Sequence, residues 1–121
     1  MGMYNENVAT SIVHNRGVSI GTIGAAQLAE IATLVARAEQ ELKPDVVRIR
    51  YELRADYSGD AAIYFRVVLA DKAADKSHLR RSSTRAAKVI LEHVSPLDLG
   101  LLWYFNYRSA SEQASLREPS W

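Results

Sequence analysis

The chain has 121 residues, a length that suits one domain with a substantial core and is too short for two. Its hydrophobic fraction of 48%, charged fraction of 24% and net charge of +1 are typical of a globular protein and exclude wholesale disorder and fibrous repeats. The absence of cysteine excludes disulfides, thiolate zinc sites and cysteine nucleophiles. No apolar run approaches the roughly 20 residues of a membrane-spanning helix, and the first residues lack a secretory signal pattern, so we expect a cytoplasmic protein.

Three segments are predicted along the chain. Residues 1–21 form an N-terminal arm or a small hairpin, because "VATSIVH" and "GVSIG" could pair with each other or lie on a partner. Residues 22–109 form the α+β domain. Residues 110–121 are too poor in apolar side chains to extend the core and are expected to form a polar tail or a short helix, with Trp121 as a residue that could fold back.

The first helix is predicted from Thr22 onward, where apolar residues recur at helical spacing. It should end near Lys43, because Pro44 disfavours helical backbone in the residue before it. The apolar stripe consists of Leu28, Ile31, Leu34, Val35, Ala38 and Leu42.

A β-hairpin is predicted next, because apolar and polar residues alternate with a period of two on both sides of "DYSGD". In that turn Gly59 can take positive φ, and Asp56 and Asp60 can accept hydrogen bonds from nearby backbone N–H groups. The residues predicted to face the core are Ile49, Tyr51, Leu53, Ile63, Phe65, Val67 and Leu69, together with Val47.

A second helix is predicted between the hairpin and Pro96, and a final strand within "GLLWYFNYR". The apolar residues of the helix are Leu79, Ala86, Val89, Ile90 and Val94. Its polar side is basic and carries Lys76, Arg80, Arg81, Arg85 and Lys88. The final strand should point Leu101, Trp103, Phe105 and Tyr107 to one side.

The order α-β-β-α-β predicts a two-layer α+β sandwich, in which a small mixed three-stranded sheet carries two helices on one face. The helical crossover makes the last two strands parallel. The opposite face of the sheet is expected to be partly uncovered and strongly basic. It would carry Arg48, Arg50, Arg54, Tyr64, Arg66, Tyr104 and Arg108, with Glu52 as its one acid.

Three interpretations of this basic face stay open at the level of sequence. The arginines can be a solvated surface in which ion pairs are worth only about 0–1 kcal/mol each. They can contact phosphates while the tyrosines stack on bases of a single-stranded nucleic acid. They can also form a protein interface, where arginine and tyrosine are favoured.

The remaining motifs indicate no specific catalytic, metal-binding or nucleic-acid-binding site. Gly21-Thr22-Ile23-Gly24 superficially resembles the loop of KH domains, but the favoured interpretation is a flexible entry to the first helix. Asp56, Asp60 and Asp71 bracket the second strand and are better explained as turn formers than as magnesium ligands. The three histidines show no metal-ligand spacing. We therefore expect no metal, no cofactor and no enzymatic activity.

The stretch "VRIRYELRADYSGDAAIYFRVVLAD", followed after the helix by "YFNYRSASEQASLREPSW", resembles a family of small uncharacterised bacterial proteins. The resemblance covers about the C-terminal 80 residues and includes Asp56, Gly59, Asp60 and Phe65. Such proteins are often encoded beside HEPN-type proteins in toxin–antitoxin-like or defence-like pairs. The resemblance implies a role as the partner or neutralising component of such a pair. The element order is also similar to that of ribosome-binding factor A, which indicates a fold but no function.

The sequence thus predicts a non-catalytic interaction protein that docks on a protein partner through its basic and aromatic sheet face. The alternative is RNA or DNA binding through the same face. A free sheet edge also predicts a homodimer. The predicted binding residues are Arg48, Arg50, Arg54, Tyr64, Arg66, Tyr104, Asn106, Arg108, Glu112 and Gln113.

Overall fold

The computed structural model describes residues 23–121, so the predicted N-terminal arm or hairpin, residues 1–21, lies outside the described residues. The described part contains a three-stranded sheet with helices before, between and after its strands. The elements are α1 (Ala25–Glu41), β1 (Val46–Ala55), β2 (Ala61–Leu69), α2 (Asp71–Ala74), α3 (Leu79–His93), a 3₁₀ turn (Pro96–Leu99), β3 (Leu102–Ser109) and α4 (Ala110–Leu116). The predicted α+β class is confirmed.

The sheet has the order β1-β2-β3 and is mixed. Strands β1 and β2 form the predicted antiparallel hairpin, and β3 runs parallel to β2. The register of β1 shifts between Val46 and Arg48, so Val47 is exposed rather than directed into the core as predicted. From Arg48 to Ala55 the pairing is regular, and the predicted alternation of faces holds.

One main core lies between the sheet and helices α1 and α3. The middle strand supplies its most deeply buried residues, Ile63, Phe65, Val67 and Leu69, none of which has measurable exposure. The rings of Phe65 and Phe105 stack there with centroids 5.0 Å apart. Burial of each such side chain contributes roughly 1.5–3 kcal/mol, so this layer accounts for much of the stability of the domain.

The predicted helices are present, with small differences at their ends. Helix α1 begins after Gly24, whose N–H donates to Gln27 Oε1 at 3.0 Å, and ends two residues earlier than predicted. Leu28 remains 41% exposed although it was predicted to face the core. In α3, Leu79 is likewise exposed, because the helix starts there and its first turn extends beyond the edge of the core.

The turn between β1 and β2 confirms the prediction from "DYSGD". Gly59 has φ of +88°, a left-handed conformation that glycine adopts without steric cost. Asp56 Oδ1 accepts hydrogen bonds from the N–H groups of Ser58 and Asp60 at 2.9 and 3.0 Å. A second glycine with positive φ, Gly100 at +73°, ends the 3₁₀ turn and leads the chain into β3.

The C-terminal segment 110–121 forms a short helix and then returns to the sheet. Ser109 caps α4 by accepting from the N–H of Glu112, and Ser111 N–H donates to Asp71 Oδ1 at 3.0 Å, which joins α4 to α2. Trp121 is only 8% exposed, so the last described residue is packed against the domain.

Candidate functional site: the outer sheet face

The outer sheet face is the side of the sheet opposite to α1 and α3. Strand pairing arranges its residues in four rows of three, one residue from each strand. The rows are Arg48-Val68-Arg108, Arg50-Arg66-Asn106, Glu52-Tyr64-Tyr104 and Arg54-Ala62-Leu102. Eight of the ten predicted binding residues therefore lie on one face, and the other two, Glu112 and Gln113, lie on α4 just beyond it.

The centre of this face is a second, smaller apolar cluster of Ala62, Tyr64, Leu102 and Tyr104. The two tyrosine rings stack with centroids 4.9 Å apart and are 8% and 1% exposed, respectively. The centre of the face is therefore buried, whereas Arg50, Arg54 and Asn106 around it are exposed. The period-2 pattern could not show this, because a tyrosine counts as polar or apolar depending on what lies over its ring.

Asp56 anchors the buried tyrosines from the hairpin turn. Its Oδ2 accepts a hydrogen bond from the Tyr104 hydroxyl at 2.7 Å, while Oδ1 accepts from Ser58 Oγ at 2.7 Å. Burial raises the pKa of Asp56, but the hydrogen bonds from Ser58, Tyr104 and the backbone outweigh it, so the pKa is lowered overall. Asp56 is therefore a buried carboxylate that is charged at neutral pH and has a structural role.

Arg54 and Arg66 converge on Glu52. Arg66 Nη2 lies 2.7 Å and Arg54 Nε 3.5 Å from Glu52 Oε1, and the hydrogen bond from Arg66 is the main reason that the pKa of Glu52 is lowered. The guanidinium of Arg54 also lies over the Tyr64 ring, 3.7 Å from its centroid, in a cation–π contact. Burial raises the pKa of Tyr64, so its hydroxyl stays neutral.

Arg108 is held by the C-terminal segment. Its guanidinium lies 4.2 Å from the centroid of Trp121 and donates to Gln113 Oε1 at 3.0 Å. It also forms an ion pair with Glu118. Arg108 and Gln113, both predicted binding residues, are thus in contact with each other and already have partners within the chain. Glu118 was missed by the sequence reasoning, since only the fold-back of the chain brings it here.

Arg48 and Arg50 differ from the other three arginines. Among the described residues, no carboxylate lies within 4.0 Å of either guanidinium. Arg48 Nε is buried without a hydrogen-bond partner, whereas the Arg50 side chain is exposed. Arg50 also lines a groove of about 460 Å³ together with Glu52, Arg66 and Ser120. Asn106 is exposed in the same row as Arg50, and Glu112 is engaged in the cap of α4 through its contact with Ser109 N.

The remaining acidic and histidine side chains are of the types that can hold a metal ion. Within residues 23–121, no group of three or more histidine, aspartate or glutamate side chains is placed to hold a metal ion. Asp71, which brackets β2 together with Asp56 and Asp60, accepts a hydrogen bond from the N–H of Ser111. Of the described histidines, His78 contacts Asp75 at 2.7 Å and His93 contacts Glu41 at 2.8 Å, and each contact joins parts of the scaffold.

In the comparisons with known proteins, no family model, no curated protein and no solved structure matches this chain. In the part of the chain that the structure describes, no helix combines the length and the apolar character needed to cross a membrane.

Proposed function

We propose that the chain is a non-catalytic interaction protein whose outer sheet face docks on an acidic surface of a protein partner. The observation that carries this proposal is the clustering of Arg50, Arg54 and Arg66 on adjacent strands near one acid, Glu52, which pairs with Arg54 and Arg66 and leaves Arg50 without a carboxylate partner among the described residues. Three guanidinium groups beside one acid leave a positive potential that an acidic partner would complement.

The surroundings of these arginines favour recognition of carboxylates. The planar fork of a guanidinium donates two parallel hydrogen bonds to one carboxylate, which gives directional contacts as well as charge. A regular hairpin holds the side chains, and Arg54 is also fixed over Tyr64, so ordering these groups costs less on binding. Exposed Asn106, in the row of Arg50 and Arg66, extends the same surface with a neutral donor and acceptor.

A single-stranded nucleic acid is a weaker candidate for this face. Sheets that bind single strands present exposed aromatic rings on which bases stack. Here the rings of Tyr64 and Tyr104 stack on each other, and Arg54 lies over Tyr64. Binding of bases would require these contacts to be broken, so the geometry favours a protein partner over the nucleic-acid alternative.

The resemblance to bacterial proteins encoded beside HEPN-type proteins suggests the kind of partner to test. In this proposal the chain is the neutralising component of a toxin–antitoxin-like pair in the cytoplasm, and the outer sheet face contacts the HEPN-type protein. The proposal of docking through the outer sheet face does not depend on this identification, because it rests on charge and geometry alone.

The test is reconstitution with a purified HEPN-type protein encoded next to the chain, measured by isothermal titration calorimetry. We expect Arg50→Glu/Arg54→Glu to weaken binding at least about tenfold, as charge reversal at an interface costs more than about 1.4 kcal/mol. The control is Arg37→Glu/Arg80→Glu, which makes the same charge change at exposed positions of α1 and α3, the helices that pack on the other side of the sheet. Equal loss in both variants would contradict docking through this face.

A further inference from the structure

A second basic surface lies on the opposite side of the molecule. Helix α3 packs Ala86, Ala87, Val89 and Ile90 into the core against the sheet, so its polar side points away from the outer sheet face. Together with α2 and the loop before α3, this side carries six exposed cations. We call it the α2–α3 surface, and its cations are Lys72, Lys76, Arg80, Arg81, Arg85 and Lys88.

The cations of this surface have few acidic partners. Arg85 lies 3.8 Å from Asp45, but among the described residues the other five have no carboxylate within 4.0 Å. Four carboxylates also line this surface, those of Glu41, Asp45, Asp75 and Glu92, so its cations outnumber its acids by two. Asp75 accepts from the N–H groups of Ser77 and His78, and Glu41 contacts His93. Among the described residues, no cation lies within 4.0 Å of the carboxylate of Glu92, which is one turn beyond Lys88.

The shape of the α2–α3 surface suits an extended ligand. Two grooves of about 770 and 520 Å³ run along it, and both are lined by Arg81 and Arg85, which therefore form the ridge between them. Arg80 and Lys88 stand about 12 Å apart along the helix axis, at 1.5 Å per residue. A polyanion lying across the helix could contact several of these cations at once.

We propose that the α2–α3 surface binds the phosphate backbone of a double-stranded nucleic acid. A protein partner is less favoured, because the described lining residues include no Phe, Tyr or Trp that could act as anchors beside the arginines, and their apolar members are Ala73 and Val89. A single strand would need rings for base stacking. Contacts to phosphate need only exposed cations, and a duplex offers the highest density of negative charge.

This binding would be independent of sequence and strongly dependent on salt. Each phosphate that is neutralised releases counterions and contributes about −0.9 to the slope of log affinity against log salt concentration for a duplex. With about three to five cations in contact, we expect a slope of about −2.7 to −4.5. Because the surface lies opposite the outer sheet face, a duplex and a protein partner could be bound together.

The experiment is a fluorescence anisotropy titration with labelled duplexes of two unrelated sequences at salt concentrations between about 50 and 200 mM. The wild-type chain should bind both duplexes equally. Arg81→Gln/Arg85→Gln should weaken binding at least about tenfold and reduce the magnitude of the slope by about two, one for each contact removed. The control Arg50→Gln/Arg117→Gln makes the same charge change at exposed positions outside the α2–α3 surface, and it should leave the duplex affinity and the salt slope unchanged.

Several results would overturn the proposal. These are the absence of duplex binding at the lowest salt concentration, an equal loss in the control, or tighter binding of a single strand of the same length. Tighter binding of polyglutamate would show that the surface prefers acidic protein. A loss of duplex affinity that is larger in Arg50→Gln/Arg54→Gln than in Arg81→Gln/Arg85→Gln would place the duplex-binding site on the outer sheet face. If circular dichroism shows that the first variant is unfolded, Arg80→Gln/Lys88→Gln is subject to the same criteria.

Discussion

The outer sheet face and the α2–α3 surface are both rich in arginine, but their arginines have different surroundings. On the outer sheet face, Arg54, Arg66 and Arg108 contact Tyr64, Glu52 and Trp121, respectively, and so contribute to the fold. On the α2–α3 surface the cations extend into solvent. The difference shows that the number of cations on a surface does not indicate whether the surface can bind a ligand. The contacts that those cations already make within the chain must also be considered.

The comparison predicts that the centre of the outer sheet face stabilises the fold. Tyr104→Ala should lower the free energy of unfolding by about 3–5 kcal/mol, because it removes a buried ring and leaves a cavity beside Tyr64. Urea unfolding followed by circular dichroism measures this loss. Tyr57→Ala, at a position that is 84% exposed, is the control and should change stability by no more than about 0.5 kcal/mol. Similar values for both variants would contradict a structural role.

A smaller loss is expected for Asp56→Asn, about 1–3 kcal/mol, because the substitution weakens the hydrogen bonds that Asp56 accepts from Tyr104 and the turn. The folded pKa of Asp56 is lowered, so its contribution is complete above the ordinary aspartate pKa of about 3.9 and is lost as the pH falls through the lower folded value. Urea midpoints measured across the acidic range should therefore fall less steeply for the variant. An identical pH dependence of the urea midpoint in the wild-type chain and the variant would show that Asp56 is not the source of the loss of stability at acidic pH.

A still smaller effect is expected for Glu52→Gln. It removes the acid shared by Arg54 and Arg66, and exposed pairs of this kind contribute up to about 1 kcal/mol. Thermal melts should show a loss that shrinks at high salt, since salt screens exposed charges. Glu30→Gln, at an exposed position of α1, is the matched control. A loss that is independent of salt would indicate that packing, not charge, connects these residues.

The smallest effect on stability is expected for Arg81→Gln/Arg85→Gln. Because these side chains lie on the solvent side of α3, the free energy of unfolding should change by no more than about 0.5 kcal/mol. Urea unfolding of this variant beside the Tyr104→Ala variant compares the two surfaces directly. A loss above about 1 kcal/mol would remove the contrast, because the α2–α3 surface would then be structural as well.

The architecture could be predicted from the sequence because it follows from local patterns. The alternation along β1 and β2, the turn at Gly59 and the helical spacing in α1 and α3 each depend on neighbouring residues. The parallel pairing of β3 with β2 follows from the crossover geometry of a chain of this length. These features also placed eight of the ten predicted binding residues on one face.

The sequence could not predict which side chains of that face are buried or already in contact, because these contacts join residues that are far apart in the chain. Tyr104 and Asp56 are separated by 48 positions, and nothing in either neighbourhood indicates their hydrogen bond. Arg108 meets Trp121 only because α4 reverses the chain, so a side chain expected to be available for binding is occupied. Protein binding and duplex binding both stay predictions. The first is tested by Arg50→Glu/Arg54→Glu and the second by Arg81→Gln/Arg85→Gln.

One contact on the edge of the sheet has a consequence for the addition of a further strand. Glu39 Oε2 accepts a hydrogen bond from the N–H of Ile49 at 2.8 Å, so a side chain of α1 occupies a backbone donor on the free edge of β1. A carboxylate there competes with any incoming strand and repels its carbonyl oxygens. This contact therefore removes one of the backbone donors that an added strand would need at the edge of β1.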